Sequence, residues 1–275
     1  MKMRALAKVN LHLRILGRRA DGFHDIETLM VPVSLGDELV VETSLGRTVK
    51  VECDHPDVPK GVDNLVARAA RQFSEDTGRH FAVRILLEKK IPMGAGLGGG
   101  SSDAAAVLLA LDALFETHLG PDLLEAMAAK LGSDVPFFIR QKPAICRGRG
   151  EIIEPVAFAE KLPLLLIKPP FGVETPWAYK SWASSQSLPG DYEGEQKLAE
   201  WKVFNDLERP VFEKFPVLAV MKKWLQEQGA VQVAAMSGSG STMFAILKDA
   251  SGGPALEKKV KAVFGETLWT SLCHT

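Results

Sequence analysis

Residues 5–15 alternate strictly. Ala5, Ala7, Val9, Leu11, Leu13 and Ile15 share one face, and Lys8, Asn10, His12 and Arg14 the other. A period of two is that of a strand with one buried face. Asp21-Gly22 is a turn signal, and the apolar stretches at 26–33 and 37–43 predict further antiparallel strands. The pattern then predicts a helix over 64–77, a strand over 81–88, a glycine-rich loop over 92–100 and a helix over 102–115. That last helix is apolar almost all round, which predicts burial at the centre of a domain. A helix over 121–131 opens on Pro121 and stops at Gly132, the favoured asymmetry of helix ends.

In the second half, 162–168 predicts a central strand, ended by Pro169-Pro170-Phe171-Gly172. The Ser-, Gly- and Pro-rich stretch 184–194 predicts an exposed loop. Helical segments follow at 206–214 and 216–228, then a strand (231–235), a tight Ser/Gly turn, a strand (243–248), a helix (254–264) and a strand (267–272). The class is α+β, with a boundary near residue 158 dividing the chain into 1–158 and 159–275. There is no internal repeat and no coiled coil.

At 275 residues the chain is long enough for one large domain or two small ones, and it needs no disulfide or metal to hold a core. Its 33 basic and 34 acidic residues leave a net charge of −1, so no broad nucleic-acid footprint is expected. Any phosphate must be gripped locally. Cys53, Cys146 and Cys273 are far apart and odd in number, which argues against a disulfide framework or zinc site and for a reducing cytoplasm. The first residues lack the apolar run of a signal peptide, and the run 162–167 is far too short to span a bilayer. The expectation is a cytoplasmic protein without a membrane partner.

The chemistry concentrates in Pro92-Met93-Gly94-Ala95-Gly96-Leu97-Gly98-Gly99-Gly100-Ser101-Ser102, followed by Asp103. Five glycines in the seven positions 94–100 let backbone amides approach a phosphate with no Cβ in the way. The helix behind adds unpaired N–H groups and the positive end of its dipole. Gly94, Gly96 and Gly99 also satisfy the G-x-G-x-x-G of a dinucleotide fold, but the flanking elements look antiparallel rather than βαβ. No G-K-[ST] ends the loop, so it is not a Walker A motif. A merely flexible connection is the remaining reading.

This loop resembles the second motif of the GHMP kinases, a family of small-molecule kinases that includes galactokinase, homoserine kinase and mevalonate kinase. The likeness continues in order through Ala7–Leu13 with Gly17–His24, Asp63-Asn64-Leu65, Leu131–Phe137, Gly172–Pro176, Phe204–Glu208 and Ser237–Ser241. Phe23 stands where the family commonly has Tyr, and Asp103 where Asn also occurs; a carboxylate at 103 would suit a helix cap. The resemblance implies a two-domain α+β fold, the first domain like domain 2 of ribosomal protein S5 and the second ferredoxin-like, with the active site in the cleft between them. It implies transfer of the γ-phosphoryl of ATP to the 2-hydroxyl of 4-diphosphocytidyl-2-C-methyl-D-erythritol, in the non-mevalonate route to isoprenoid precursors.

Asp134 lies between a helix end and Val135-Pro136, a place where a carboxylate is either a fixed base or a turn residue. Lys8, on the polar face of the first strand, would otherwise be a solvated side chain. The resemblance implies that Asp134 is the general base and Lys8 its partner. It implies that residues 92–102 cradle ATP, with Asn64 and Lys89 near the adenine, and that Mg²⁺ arrives with the nucleotide on ligands left unassigned. Asn10 would bind the substrate, Phe23, His24 and Tyr179 would clamp its cytidine with Thr175 touching the same site, and Gly238 and Ser239 would add amides near the phosphates or the substrate, unless their turn is a plain hairpin. Homoserine or mevalonate as acceptor, or a non-catalytic nucleotide-binding regulator, are the alternatives, and a Rossmann oxidoreductase comes after them. Nothing in the sequence sets the oligomeric state.

Overall fold

The alternating segment forms β1 (Lys2–Arg18), and its whole apolar face from Ala5 to Ile15 is buried in the computed structural model. The structure describes residues 1–53, 55–56, 58–59, 61–158, 161–190, 192 and 194–275. The two stretches expected as separate strands are one, β2 (His24–Ser44), antiparallel to β1. Its register steps from Leu6↔Gly36 to Ala7↔Val33, a bulge that takes up Ser34 and Leu35 and keeps both apolar sets facing inward.

Around this pair the chain adds β3 (Val49–Cys53), α1 (Leu65–Thr77), β4 (Ala82–Glu88), α2 (Gly99–Leu114), α3 (Gly120–Leu131), α4 (Phe137–Arg140), β5 (Ala144–Gly148) and β6 (Ile152–Pro155). The second half contributes β7 (Pro163–Lys168), α5 (Thr175–Trp182), β8 (Gln196–Leu198), β9 (Trp201–Asn205), α6 (Glu208–Lys214), α7 (Pro216–Gln226), β10 (Val231–Met236), β11 (Met243–Leu247), α8 (Gly253–Phe264) and β12 (Trp269–His274). Strands β3-β4-β2-β1-β9-β8 form the larger sheet, with β5 on β2 and β6 on β5. β10-β11-β7-β12 form a smaller, wholly antiparallel one.

α2 is the buried centre of the first half: Asp103 to Leu108 are inaccessible, packed between the large sheet and the aromatic layer of Phe73, Phe137 and Phe138. Among the described residues, the short strands β3, β5, β6, β8 and β9 and the helices α4 and α5 go beyond what the sequence pattern predicted. β9 is consequential, because it runs parallel to β1 at His12↔Phe204 and Leu13↔Asn205 and ties the second half to the strand carrying Lys8. The expected division near 158 abuts residues 159–160, and the expected loop 184–194 includes 191 and 193; those four lie outside the described residues. Among the described residues no helix is long and apolar enough to cross a membrane.

Candidate active site

α2 starts at Gly99, three residues before the expected position, because positive φ at Gly94, Gly96 and Gly98 folds the glycine run into the helix entrance. Its N-cap, Gly98, offers no side-chain acceptor, so the first-turn amides are left to the cavity that Gly99, Gly100 and Ser101 line. That cavity has a volume of about 720 Å³ and is lined from both halves of the chain. Two glycines are required by close approach. A Cβ at Gly96 would lie 2.1 Å from the Ser237 carbonyl oxygen, and one at Gly98 would lie 2.7 Å from the Phe138 ring. The glycine loop also interlocks with the Ser237–Ser241 turn, since the Ser237 hydroxyl donates to Gly96 O (3.0 Å) and Thr242 N–H to Ala95 O (3.3 Å).

Lys8 is not solvated. It is 3% exposed, and its Nζ donates to Asn10 Oδ1 (2.6 Å) and Gly96 O (3.1 Å) and pairs with Asp134 Oδ2 at 3.5 Å. Asn10 is held in turn, its Nδ2 donating to Thr28 Oγ1 (2.8 Å), whose hydroxyl donates to His12 O (2.6 Å). This chain fixes the Asn10 amide with its oxygen toward the ammonium. Asp134, one-third exposed at its side chain, opens onto the cavity between the end of α3 and the start of α4.

At the other end of the cavity the rings gather. His24 lies 5.5 Å from Tyr179, tilted by 31°, and Trp182 meets the His24 edge at 6.4 Å. Burial, reinforced by the positive charge of Arg18, lowers the His24 pKa, so the ring is neutral at pH 7 and keeps one nitrogen as an acceptor. Burial, and then the charge of Asp134, pushes the Tyr179 phenol up, which keeps it a donor. Phe23 is half exposed and carries the Arg149 guanidinium over its face at 4.8 Å. The Thr175 and Ser239 hydroxyls share a hydrogen bond of 2.7 Å at the rim.

Of the expected site residues, all line the cavity except Asn64 and Ser102. Asn64 is the N-cap of α1, accepting from Val66 N–H and donating to Pro59 O, and it is its neighbour Leu65 that faces the cavity. Ser102 is fully buried one residue past the lining. Lys89 lines the cavity but is buried, its ammonium paired with Asp37 and Asp103. Asp103 is no cap; it sits inside α2 with Oδ2 on Lys89 at 2.7 Å. Burial raises its pKa to about 7, with Lys89 opposing and Asp37 adding to the rise. Sequence reasoning missed Arg18, Arg149 and Lys180. Arg18 lies inside the Gly17–His24 block, whereas Arg149 and Lys180 carry no motif signal; with Lys8 they face one lining carboxylate, Asp134, while Lys89 is already paired with Asp37 and Asp103. Such a wall concentrates positive potential on a polyanionic ligand.

Amides and cations converging on one cleft, with the buried Lys8 paired to a carboxylate that opens onto it, are what a small-molecule phosphotransferase requires. The comparisons agree on that class. The model of the GHMP kinases N terminal domain matches residues 64–142 and that of the GHMP kinases C terminal domain residues 190–266. A Methylacidiphilum infernorum protein named 4-diphosphocytidyl-2-C-methyl-D-erythritol kinase is 43% identical, over 98% of this chain and 94% of its own. A Thermodesulfovibrio yellowstonii protein of the same name is 35% identical, over 99% and 96%. The crystal structure of a 4-(cytidine 5'-diphospho)-2C-methyl-D-erythritol kinase superposes over the whole of both chains with a TM-score of 0.80 at 37% identity. A homoserine kinase from Cytophaga hutchinsonii, with a TM-score of 0.67 at 19% identity over 99% and 93% of the chains, shares the fold. The chain belongs to the 4-diphosphocytidyl-2-C-methyl-D-erythritol kinase family of the GHMP kinases.

Proposed function

We propose that this chain transfers the γ-phosphoryl group of ATP to the tertiary 2-hydroxyl of 4-diphosphocytidyl-2-C-methyl-D-erythritol, giving the 2-phosphate and ADP in the cytoplasmic, mevalonate-independent route to isoprenoid precursors. The observation that carries the reading is the meeting of Lys8 Nζ, Asp134 Oδ2 and Gly96 O in one cluster, beside the open amides of Gly99–Ser101 and in the same cavity as His24 and Tyr179. Residues 1–158 supply the nucleotide loop, Lys8 and Asp134, and residues 159–275 supply Thr175, Tyr179, Gly238 and Ser239.

In this reading the loop amides hold the phosphates and the acceptor hydroxyl lies against Asp134. As the hydroxyl oxygen bonds to the γ-phosphorus, its proton passes to the Asp134 carboxylate and the bond from phosphorus to the β–γ bridging oxygen breaks, releasing ADP. Lys8 holds the carboxylate in place and offsets the charge on the transferring group. His24 and Tyr179 receive the cytosine, with Phe23 and Arg149 closing the same end and the neutral His24 ring reading a base edge. Mg²⁺ accompanies the nucleotide and neutralises phosphate charge. The described residues contain no cluster of three or more His, Cys, Asp or Glu side chains able to hold a metal; a magnesium ion brought by the nucleotide would be held mostly by phosphates and water, and Asp134 and Ser101 line the same cavity.

The stacked end of the cavity favours this acceptor over homoserine or mevalonate, which have no base to occupy it. A coupled ADP-release assay across the three alcohols tests the reading. Turnover of the cytidylyl compound alone is expected, and turnover of homoserine or mevalonate without it overturns the assignment.

A further inference from the structure

The Ser237–Ser241 turn is held from behind by one side chain. Asn205, the last residue of β9 and 3% exposed, donates through Nδ2 to both Met236 O (2.8 Å) and Gly238 O (2.7 Å), while its Oδ1 accepts from Leu207 N–H (2.9 Å). Every polar hydrogen and the carbonyl of that amide are used. Aspartate could not do this, because it would set a carboxylate against two carbonyl oxygens, and a hydroxyl side chain has only one hydrogen to give. Glu208 completes the support from three residues on. It accepts Met236 N–H at 2.9 Å through Oε1 and is neutralised by the equally buried Lys222 at 2.6 Å.

The consequence lies in the peptide plane. In a trans peptide the carbonyl and the following N–H point in opposite directions. With Gly238 O drawn back onto Asn205, the Ser239 N–H is turned the other way, and Gly238 and Ser239 both line the cavity. Among the described residues no carbonyl or side chain accepts from that N–H. The turn also lies close against Lys8 and its partner Asn10, since a Cβ at Gly238 would lie 3.3 Å from Lys8 Nζ and 3.3 Å from Asn10 Oδ1.

We propose that Asn205 is a positioning residue for phosphoryl transfer: it orients the 238–239 peptide so that the Ser239 amide donates to the oxygen of the transferring phosphoryl group, and it fixes the turn against Lys8. This rests on the kinase reading above and adds a donor that acts on developing charge rather than on the resting nucleotide. Losing an interaction realised only in the transition state lowers kcat and leaves KM nearly alone.

The test compares the wild type, Asn205→Asp, Asn205→Ser and Val260→Ala. The last opens a cavity in the core under the small sheet without touching the turn. Both Asn205 variants should lose roughly 10²-fold in kcat, the scale for removing one preorganised donor, with KM for ATP changing less than about threefold. Val260→Ala should lose stability with kcat unchanged. Folded Asn205 variants with kcat within twofold of wild type would overturn the proposal, as would an equal fall in Val260→Ala. A second readout needs neither a variant nor an alcohol. In the wild-type protein the Ser239 backbone amide resonance should shift when ADP and aluminium fluoride are added, and an unmoved resonance in a protein that has bound the nucleotide refutes the donor role. If the wild type phosphorylates another alcohol, only the acceptor assignment falls, and Asn205 is judged on that alcohol.

Discussion

Replacing Asp103 by asparagine probes the cluster beneath the nucleotide loop. Asp37 and Asp103 share the Lys89 ammonium, and all three are essentially inaccessible. Asp37 also accepts from the Lys90 and Ile91 amides, so the cluster binds the entry of the glycine loop to the second turn of α2. Two carboxylates against one cation leave one negative charge too many in a buried place. Burial, with Asp37 adding to it and Lys89 opposing, lifts the Asp103 pKa from 3.8 to about 7. The sign follows from proton uptake: between those two values the folded protein holds a proton that the unfolded chain has lost, so stability falls as pH rises. Going from about pH 5.5 to about pH 8 crosses some 1.5 units below the folded value, a loss of roughly 2 kcal/mol. The amide of the Asp103→Asn variant cannot titrate and keeps the volume. Urea denaturation of both proteins at the two pH values isolates the Asp37–Lys89–Asp103 cluster, because groups outside it, including His12 and His24, cancel in the difference. The wild type should lose roughly 2 kcal/mol more than Asp103→Asn over that interval. Equal losses would show that Asp103 is ionised throughout and that this view of the cluster is wrong.

Three further outcomes are expected. Asp134→Asn should reduce turnover at least about 10²-fold while ATP affinity, measured by calorimetry, stays close to wild type; near-normal turnover would remove Asp134 from the chemistry. Gly98→Ala places a Cβ 2.7 Å from Phe138 at a φ of +72°, whereas a Cβ at Gly100 meets nothing within 4 Å. Thermal unfolding should therefore show a loss of roughly 2 kcal/mol or more for Gly98→Ala and almost none for Gly100→Ala. Tyr179→Ala should raise KM for the cytidylyl substrate by roughly 10-fold or more, the scale of one lost stacking contact, with KM for ATP unchanged.

Much of this was legible in the chain because local rules and tertiary structure agree. The alternation from Ala5 to Ile15, the apolar girth of α2 and the Pro121/Gly132 limits of α3 each report a period or a cap that packing then respects. Lys8 and Asp134 came from the family likeness rather than from pattern. By pattern alone Lys8 was one more polar residue on an alternating strand, and it is buried because the glycine loop and the Ser237 turn, far away in sequence, close over it. The same non-locality hid the rest. β9 is a five-residue strand whose identity depends on β1, nearly two hundred positions earlier. Arg18, Arg149 and Lys180 belong to no common motif and become a cationic wall only when three segments meet. Asp103 suited a cap because the helix was expected to begin at residue 102, yet the positive-φ glycines start the helix early and carry it into the second turn.

The central claim is that the amides at the start of α2 hold a triphosphate with its last phosphorus facing an alcohol beside Asp134 and Lys8. A crystal structure with a non-hydrolysable ATP analogue and the cytidylyl substrate tests it directly. The tertiary 2-oxygen should lie roughly 3–3.5 Å from the γ-phosphorus and within hydrogen-bonding reach of Asp134. A γ-phosphate directed away from Asp134, or cytosine bound anywhere but between His24 and Tyr179, would contradict it.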